Sequence, residues 1–225
     1  MPVPAADGRL AVDAGSAWLA LLTWVPGQPL AGDDNAEQEV IGRTLAAVHR
    51  ALAGFRVAGA RRFHWVDPDA GYLALRAWLR PAISAALDEL AAAFPDQMTW
   101  GLLHADPAPG AFRPDLSAGR CGVIDWSYAL YGPLLYDLAS AVMYVGGLGR
   151  AGTLVSAYLD EGIPEADEAE RGLAPMLKFR WAVQPNYFAW RIAENNLTGI
   201  SGPQDNEQGL QDARLALSAS SFDVR

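Results

Sequence analysis

Three ionisable side chains lie close together in the middle of the sequence, and their spacing is suited to proton transfer. His104 and Asp106 follow a short apolar run at 101–103, and Asp125 follows a second apolar run at 121–124. Carboxylates beside an imidazole shift one another's pKa values and can act as general acids or bases. A single aspartate at a strand end more often caps a turn, but a cluster of three favours an active site. We therefore predict that Asp106, His104 and Asp125 are catalytic.

The elements that would hold these side chains are two buried strands. Short apolar runs bounded by glycine, proline and aspartate are typical of such strands. The runs at 101–103 and 121–124 are therefore expected to pair as a β-hairpin with a long polar connection. This hairpin would place Asp106 and Asp125 near the ends of neighbouring strands.

Three motifs in this region resemble the aminoglycoside phosphotransferase family, which includes choline- and homoserine-kinase-like enzymes. The motifs are HAD at 104–106, VIDW at 123–126 and GPLLYDLA at 132–139. Their order and spacing match the family, and the resemblance extends from about Trp24 to the C-terminus. It implies an α+β fold of the protein-kinase type, reduced to a remnant antiparallel N-terminal sheet and a mainly helical C-lobe.

The resemblance also divides the chain and assigns roles to three aspartates. Residues 1–30 would be the remnant N-lobe strands and the hinge, and residues 31–225 the helical C-lobe with its hairpin. Asp106 matches the family's catalytic aspartate and Asp125 its metal-binding aspartate. Asp137 matches an aspartate that braces the loop holding the preceding motif.

Several parts that phosphoryl transfer needs are missing from this family pattern. No glycine-rich phosphate loop and no lysine-bearing strand precede the motifs, and the only lysine is Lys178. The family's metal-binding asparagine, five residues after the catalytic aspartate, is replaced by Ala111. Alanine offers no oxygen ligand to Mg²⁺. We therefore expect no metal site, no nucleotide cofactor and a loss of ATP binding.

Three functions remain open on these grounds, because a fold does not determine a function. The preferred one is a repurposed enzyme of bacterial specialised metabolism that acts on a small organic substrate without ATP. Asp106, aided by His104 or Asp125, would be its general acid or base. Two neighbouring carboxylates raise one another's pKa, so one can stay protonated while the other is ionised. The alternatives are a catalytically silent small-molecule-binding or regulatory protein, and a residual ATP-dependent small-molecule phosphotransferase completed by another chain.

Aromatic and polar side chains after the second strand are candidates for substrate contacts, although ordinary packing would explain each of them about equally well. They could form the wall of a cleft above the aspartates. The candidates are Trp126, Tyr128, Trp181, Asn186, Tyr187, Trp190 and Arg191.

Composition narrows the partners and the location. Of the 225 residues 51% are hydrophobic, and the net charge of −9 disfavours nucleic acid as a partner. No apolar run reaches the length of a membrane span, and the N-terminus does not resemble a signal peptide. The only cysteine, Cys121, excludes an internal disulfide. We expect a small-molecule substrate, no membrane contact and a cytoplasmic location.

Apolar periodicity predicts that most of the remaining chain is helical. Regular helices are expected at 35–52, 134–144, 153–159 and 205–218. A long helical segment that begins at Pro68 should kink or split at Pro81. Helical structure at 164–180 and 186–195 should likewise be broken or interrupted at Pro175 and Pro185.

The N-terminal segment is expected to be an antiparallel meander over residues 5–25, with one apolar strand at 17–25. Without an upper lobe, an apolar surface that includes Trp18, Leu22 and Trp24 would be left exposed. Exposed patches of this kind usually mark an interface. We therefore expect a homodimer, or another partner that covers the remnant N-terminal sheet.

Overall fold

The computed structural model describes residues 1–56, 59–61, 63, 66–94, 98–115, 117–161 and 163–218. Over these residues the chain forms eight short strands and six α-helices. The strands pair as four separate antiparallel ladders of two strands each, and the helices supply most of the buried core. The predicted α+β class is confirmed.

The N-terminal meander contains four strands of two residues each. They are β1 (Pro2–Val3), β2 (Val12–Asp13), β3 (Trp18–Leu19) and β4 (Leu21–Leu22). β1 pairs with β4, and β2 pairs with β3. Antiparallel pairing in this segment was predicted correctly, but the expected single apolar strand at 17–25 is two strands with different partners.

Four helices lie where their periodicity and caps predict them. They are α1 (Asn35–Ala51), α3 (Leu134–Tyr144), α4 (Gly152–Leu159) and α6 (Pro203–Ser218). At the start of α1 the Asp34 carboxylate accepts the backbone N–H of Glu37 at 2.8 Å, which satisfies one otherwise unpaired donor. The apolar stripe of α1, which includes Ile41 and Leu45, is buried in the core.

The helical segment predicted to kink or split at Pro81 is divided just before that proline, where α2 (Leu79–Ala93) begins. Pro81 lies in the first turn, where a backbone N–H has no intrahelical acceptor, so its absence costs little. The preceding segment is a separate 3₁₀ turn, Gly71–Leu75.

The longest helix, α5 (Ala166–Ala193), contradicts the predicted breaks at Pro175 and Pro185, because it is continuous through both. Each proline removes one backbone hydrogen bond, but α5 packs along α2, α3 and α6, and tertiary packing outweighs local propensity. Among the described residues no helix is both long and apolar enough to span a membrane.

The central strands do not form the predicted hairpin. β5 (Trp100–Leu103) pairs with β8 (Leu130–Pro133), whereas β6 (Phe112–Asp115) pairs with β7 (Arg120–Val123). The prediction overlooked 112–115 as a strand. Pairing β7 with this near neighbour closes a much shorter loop than pairing it with β5, and therefore costs less entropy.

Candidate functional site

The loop after β5 is fixed by a buried carboxylate from α3. Asp137 accepts the backbone N–H of His104 at 2.8 Å and that of Ala105 at 2.7 Å. Ala105 has a φ of 69°, in the left-handed region that non-glycine residues rarely adopt. Such a conformation costs about 1–3 kcal/mol and persists only where its surroundings impose it. The carboxylate of Asp137 provides that constraint, and this matches the bracing role implied by the family resemblance.

Asp137 is itself held by a second buried layer. His49 Nε2 lies 3.0 Å from its Oδ2, and His49 Nδ1 lies 2.7 Å from the Tyr158 hydroxyl. Burial raises the pKa of Tyr158 well above its ordinary value, so its hydroxyl stays protonated and can donate to His49. His49 was assigned no role from its position beside the apolar stripe of α1, yet it is 2% exposed and both of its ring nitrogens are engaged in this network.

His104 links the two central ladders. Its Nε2 lies 2.8 Å from the carbonyl of Ile124, and its Nδ1 accepts the backbone N–H of Asp106 at 3.3 Å. The ring also packs on Trp126, with centroids 4.9 Å apart. Both ring nitrogens are thus engaged with backbone atoms, which suits a neutral Nε2–H tautomer and a positioning role.

Asp106 projects from this loop into a cavity. Its carboxylate accepts a short hydrogen bond from the Tyr144 hydroxyl, and Arg180 Nη2 lies 3.4 Å from the same oxygen, Oδ1. The Arg180 side chain is 5% exposed, and its Nε donates to Ser140 at 2.9 Å. Two donors from α3 and α5 therefore orient one carboxylate.

The cavity has a volume of about 580 Å³, and its lining includes four tyrosines. It is lined by Arg61, Ala105, Asp106, Tyr128, Leu130, Tyr136, Tyr144, Arg180, Val183, Gln184 and Tyr187. Burial raises the pKa of Tyr136 to about 12 and also raises those of Tyr144 and Tyr128. Since these phenols are neutral at physiological pH, the charged groups of the described lining are two guanidiniums and one carboxylate.

Asp125 lies beside this cavity rather than in its lining. It follows β7 with a φ of 64°, and its Oδ1 accepts the Ser127 hydroxyl at 2.8 Å. The pKa of Tyr128 is raised, mainly by burial and next by the neighbouring Tyr187. The negative charges of Asp106 and Asp125 raise it further, so Tyr128 lies close to both aspartates. Asp106 and Asp125 therefore face a common neighbour although their strands do not pair.

Of the seven residues predicted to contact substrate, two line the cavity, Tyr128 and Tyr187. Trp126 packs on His104, and its Nε1 donates to the carbonyl of Val123 at 3.1 Å.

The other four lie outside the lining. Asn186 accepts the Tyr72 hydroxyl at 2.9 Å, and Trp181 packs against the core. Arg191 fastens α6 and the preceding loop to α5, donating to Asn206 at 2.8 Å, to Tyr187 at 2.7 Å and to Thr198 O at 2.6 Å. Trp190 is 38% exposed next to Tyr187.

Several lining residues were not among those predicted from the sequence. Arg180 and Gln184 precede Tyr187 by seven and three positions on α5, so the three share one helical face. A helix predicted to continue through Pro185 would have placed Arg180 and Gln184 on the same face as Tyr187. Pro185 was instead interpreted as an interruption, so both residues were missed. Arg61, Tyr136 and Tyr144 carry no comparable signal, because they come from other elements that only the tertiary fold brings together.

The donor set near Asp125 does not fit a complete magnesium site. Mg²⁺ requires oxygen ligands, and Ala111 presents a methyl group at the position where the family supplies asparagine. In the part of the chain that the structure describes, no group of three or more histidine, cysteine or acidic side chains could hold a metal. The only lysine, Lys178, pairs with Glu89 between α5 and α2.

Comparison with known proteins identifies the family. The model of the "Phosphotransferase enzyme family" matches residues 1–174. The chain belongs to this phosphotransferase family. It is 30% identical over 198 residues to a homoserine kinase from Gluconacetobacter diazotrophicus, covering 78% of this chain and 59% of the relative. A homoserine kinase from Sinorhizobium medicae is 30% identical over 148 residues, covering 62% and 44%.

Solved structures establish the same fold at lower identity. A microcompartment-associated aminopropanol kinase superposes with a TM-score of 0.70 at 20% identity, covering 96% of this chain and 72% of the other. A choline/ethanolamine kinase family protein from Mesorhizobium loti gives 0.67 at 17%, covering 94% and 72%. The predicted kinase-like fold is therefore confirmed. The chain spans only about half the length of the curated relatives it matches.

Proposed function

We propose that this member of the phosphotransferase family binds a small hydroxylated organic acid in the cavity above β5. Asp106 would accept the hydrogen bond and then the proton of the substrate hydroxyl while that oxygen attacks the γ-phosphorus of ATP, whose bond to the bridging oxygen breaks so that ADP leaves. The observation that carries the proposal is the environment of Asp106, a carboxylate oriented by two donors at the wall of a cavity of about 580 Å³.

The hydrogen bonding of Asp106 favours an acceptor role. A carboxylate offers about four lone-pair positions, and Tyr144 and Arg180 occupy positions on one oxygen, Oδ1. Its other oxygen, Oδ2, has no hydrogen-bond partner in the described part of the chain and can accept from a substrate hydroxyl. Both neighbours are donors, so they present the carboxylate as a hydrogen-bond acceptor, which suits a contact with a substrate hydroxyl.

The charge of the cavity favours a substrate with an acidic group. Arg180 is already paired with Asp106, whereas Arg61 is exposed and, within the described residues, its side chain donates to a carbonyl alone, Ser127 O, at 2.9 Å. A guanidinium binds a carboxylate or phosphate through two parallel hydrogen bonds. The relatives named homoserine kinases support this class, since homoserine carries both a hydroxyl and a carboxylate.

A second candidate is catalysis without ATP, in which Asp106 acts as a general base on the same substrate. Ala111 and the pairing of Lys178 with Glu89 favour it, because both weaken the case for a nucleotide site. A general-acid role for Asp106 gains no support from the geometry. The predicted role required a neighbouring carboxylate, Asp125, but the side-chain partners of Asp106 are Arg180 and the phenol of Tyr144.

Ligand binding and turnover together test the proposal. The full chain is titrated with L-homoserine, 4-hydroxybutyrate, ethanolamine and 1-amino-2-propanol, and each is then incubated with and without MgATP at about 10 mM. We expect the two hydroxy acids to bind more tightly than the amino alcohols and to be phosphorylated only with MgATP, as followed by ³¹P NMR.

The outcomes separate the candidates. Conversion without nucleotide would favour the second candidate over the first. Binding without conversion under either condition would leave a silent binding protein. Failure of all four compounds to bind, or preference for the amino alcohols, would contradict the proposed substrate class. The cytoplasmic location and the exclusion of nucleic acid stay predictions of the sequence.

A further inference from the structure

The N-terminal meander, defined here as residues 1–24, is apolar on both of its faces. Successive residues of a strand point to opposite faces, and in β3 Trp18 is 68% and Leu19 is 62% exposed. The same holds in β4, where Leu21 is 68% and Leu22 is 64% exposed. Trp24, which follows β4, is 86% exposed. Neither face is covered by the described part of the chain.

The chain lies directly against the body immediately after the meander. A Cβ added at Gly122 would meet Val25, and one added at Gly27 would meet the backbone of Pro114, so residues 25–27 lie directly against β6 and β7. Farther on, Glu37 accepts the backbone N–H groups of Ala31 and Gly32 at 2.9 Å and 2.7 Å. The apolar surface therefore projects from a fixed attachment.

We propose that a second copy of this chain covers the meander in a twofold-symmetric dimer. Each strand of the meander belongs to a two-stranded ladder and so presents an open edge within the described residues. Isolated two-stranded ladders are marginally stable, and open edges readily pair with other strands. A twofold axis places the same apolar patch on both sides of the contact, which makes it self-complementary.

The area suffices for such an interface. A stable dimer buries about 800 Å² on each partner. The meander offers two largely exposed tryptophans, each of about 150–250 Å², together with six valine and leucine side chains more than a third exposed. These are Val3, Leu10, Val12, Leu19, Leu21 and Leu22.

The distribution of charge favours another copy over a membrane. Two chains of net charge −9 repel unless they meet where charge is absent, and residues 14–32 contain no charged side chain. Nearer the N-terminus, Asp7 and Arg9 pair with each other at 2.7 Å. No lysine or arginine occurs from residue 10 to residue 42, so the patch has no basic group to attract anionic lipid.

The test compares two leucines of similar exposure by sedimentation equilibrium. Leu22→Glu lies in the meander, and the control Leu215→Glu changes a leucine of α6 that is 61% exposed. The wild-type chain and the control are expected to approach twice the chain mass of 24.1 kDa. Symmetry places two new carboxylates in one interface, so Leu22→Glu should raise the dissociation constant at least about 100-fold.

Tryptophan fluorescence gives an independent reading. Burial of Trp18 and Trp24 should shift the emission to shorter wavelength as the concentration of wild-type chain rises, and Leu22→Glu should remove the shift. Far-UV circular dichroism confirms that each variant is folded.

Several outcomes would overturn the proposal. They are a monomer at all concentrations from about 1 to 100 μM, equal effects of the two substitutions, open-ended association beyond the dimer, and a monomer that binds neutral phosphatidylcholine vesicles through the meander.

Discussion

The buried carboxylate of Asp137 accepts the backbone N–H of Ala105 at 2.7 Å and so holds that residue at a φ of 69°. The direction in which the next residue, Asp106, leaves the chain depends on this conformation. A contact between α3 and the loop after β5 therefore sets the geometry of the cavity without touching a ligand.

Substitution of this carboxylate should destabilise the protein. In Asp137→Asn an amide NH₂ replaces one of the two oxygens that accept from His104, Ala105 and His49, so at least one buried donor loses its acceptor. Urea denaturation should show an unfolding free energy lowered by about 3 kcal/mol. The control Asp212→Asn, on the exposed side of α6, should change it by less than about 0.5 kcal/mol. A loss below about 1 kcal/mol for Asp137→Asn would contradict the bracing role.

Alkaline pH should weaken the fold through the buried phenol of Tyr136. Its pKa is raised by burial to about 12 in the folded state, against 10.0 for an exposed tyrosine. Between these values the unfolded chain loses a proton that the folded chain keeps, so stability falls as pH rises from 10 to 12.

The full contribution of Tyr136 amounts to roughly 3 kcal/mol, and it is intact below pH 10. Tyr136→Phe lacks this proton and should lose less stability over the same interval, as urea denaturation at stepped pH would show. Identical pH profiles for the two proteins would contradict the assignment. The other buried tyrosines are present in both proteins, so they affect the two pH profiles in the same way.

Local signals in the sequence were enough to locate most helices and the central motifs. Local features define α1, namely the cap at Asp34 and the apolar stripe that includes Ile41. The same is true of Asp106 and Asp125, which follow recognisable apolar runs. These features depend on residues a few positions apart, and a single sequence displays them.

What the sequence did not reveal depends on contacts between distant segments. The pairing of β5 with β8 and the continuity of α5 through Pro175 are decided by packing across the fold. The cavity shows the same limit, since Arg61 and Tyr144 reach it from separate elements. The spacing of residues along the chain does not show which distant segments come into contact.

Removal of the exposed guanidinium should weaken binding of acidic substrates selectively. Arg61→Gln removes the proposed partner of the substrate carboxylate, so the dissociation constant of L-homoserine or 4-hydroxybutyrate should rise about tenfold. The affinity for ethanolamine should change by less than about twofold, since it has no carboxylate. Calorimetric titration measures both.

The control for this substitution is Arg76→Gln. Arg76 is similarly charged and exposed but pairs with Glu207 at 3.0 Å, away from the cavity. It should leave all affinities unchanged. Equal losses for acids and amino alcohols in Arg61→Gln would indicate a structural effect and contradict the proposed carboxylate contact.

Nucleotide binding by this chain should be weak. Ala111 supplies no oxygen ligand, and the only lysine is paired with Glu89. We expect calorimetry to give a dissociation constant for MgATP weaker than about 1 mM. Lys178→Gln should leave it unaltered, which would show that this lysine does not contact phosphate. Micromolar affinity in the wild-type chain would refute the expected weakness of nucleotide binding, whereas a millimolar constant still permits turnover at the MgATP concentration of about 10 mM used in the assay.

The decisive substitution is Asp106→Asn, measured with whichever hydroxy acid the titrations identify. Asparagine keeps the shape of the side chain and one acceptor oxygen, but it cannot take a proton at neutral pH. Turnover should therefore fall by about 10²- to 10⁴-fold, while the dissociation constant of the substrate changes by less than about threefold. Because the effect falls on kcat and not on binding, it separates proton acceptance from mere contact with the ligand.

A surface aspartate provides the control for this last measurement. Asp69 is 93% exposed at its side chain and pairs only loosely with Arg80 at 3.7 Å, so Asp69→Asn should leave both constants unchanged. A loss of less than about tenfold in kcat for Asp106→Asn would mean that the carboxylate only positions the hydroxyl. A loss confined to binding would remove Asp106 from the chemistry and leave Arg61 and the tyrosines as a recognition site.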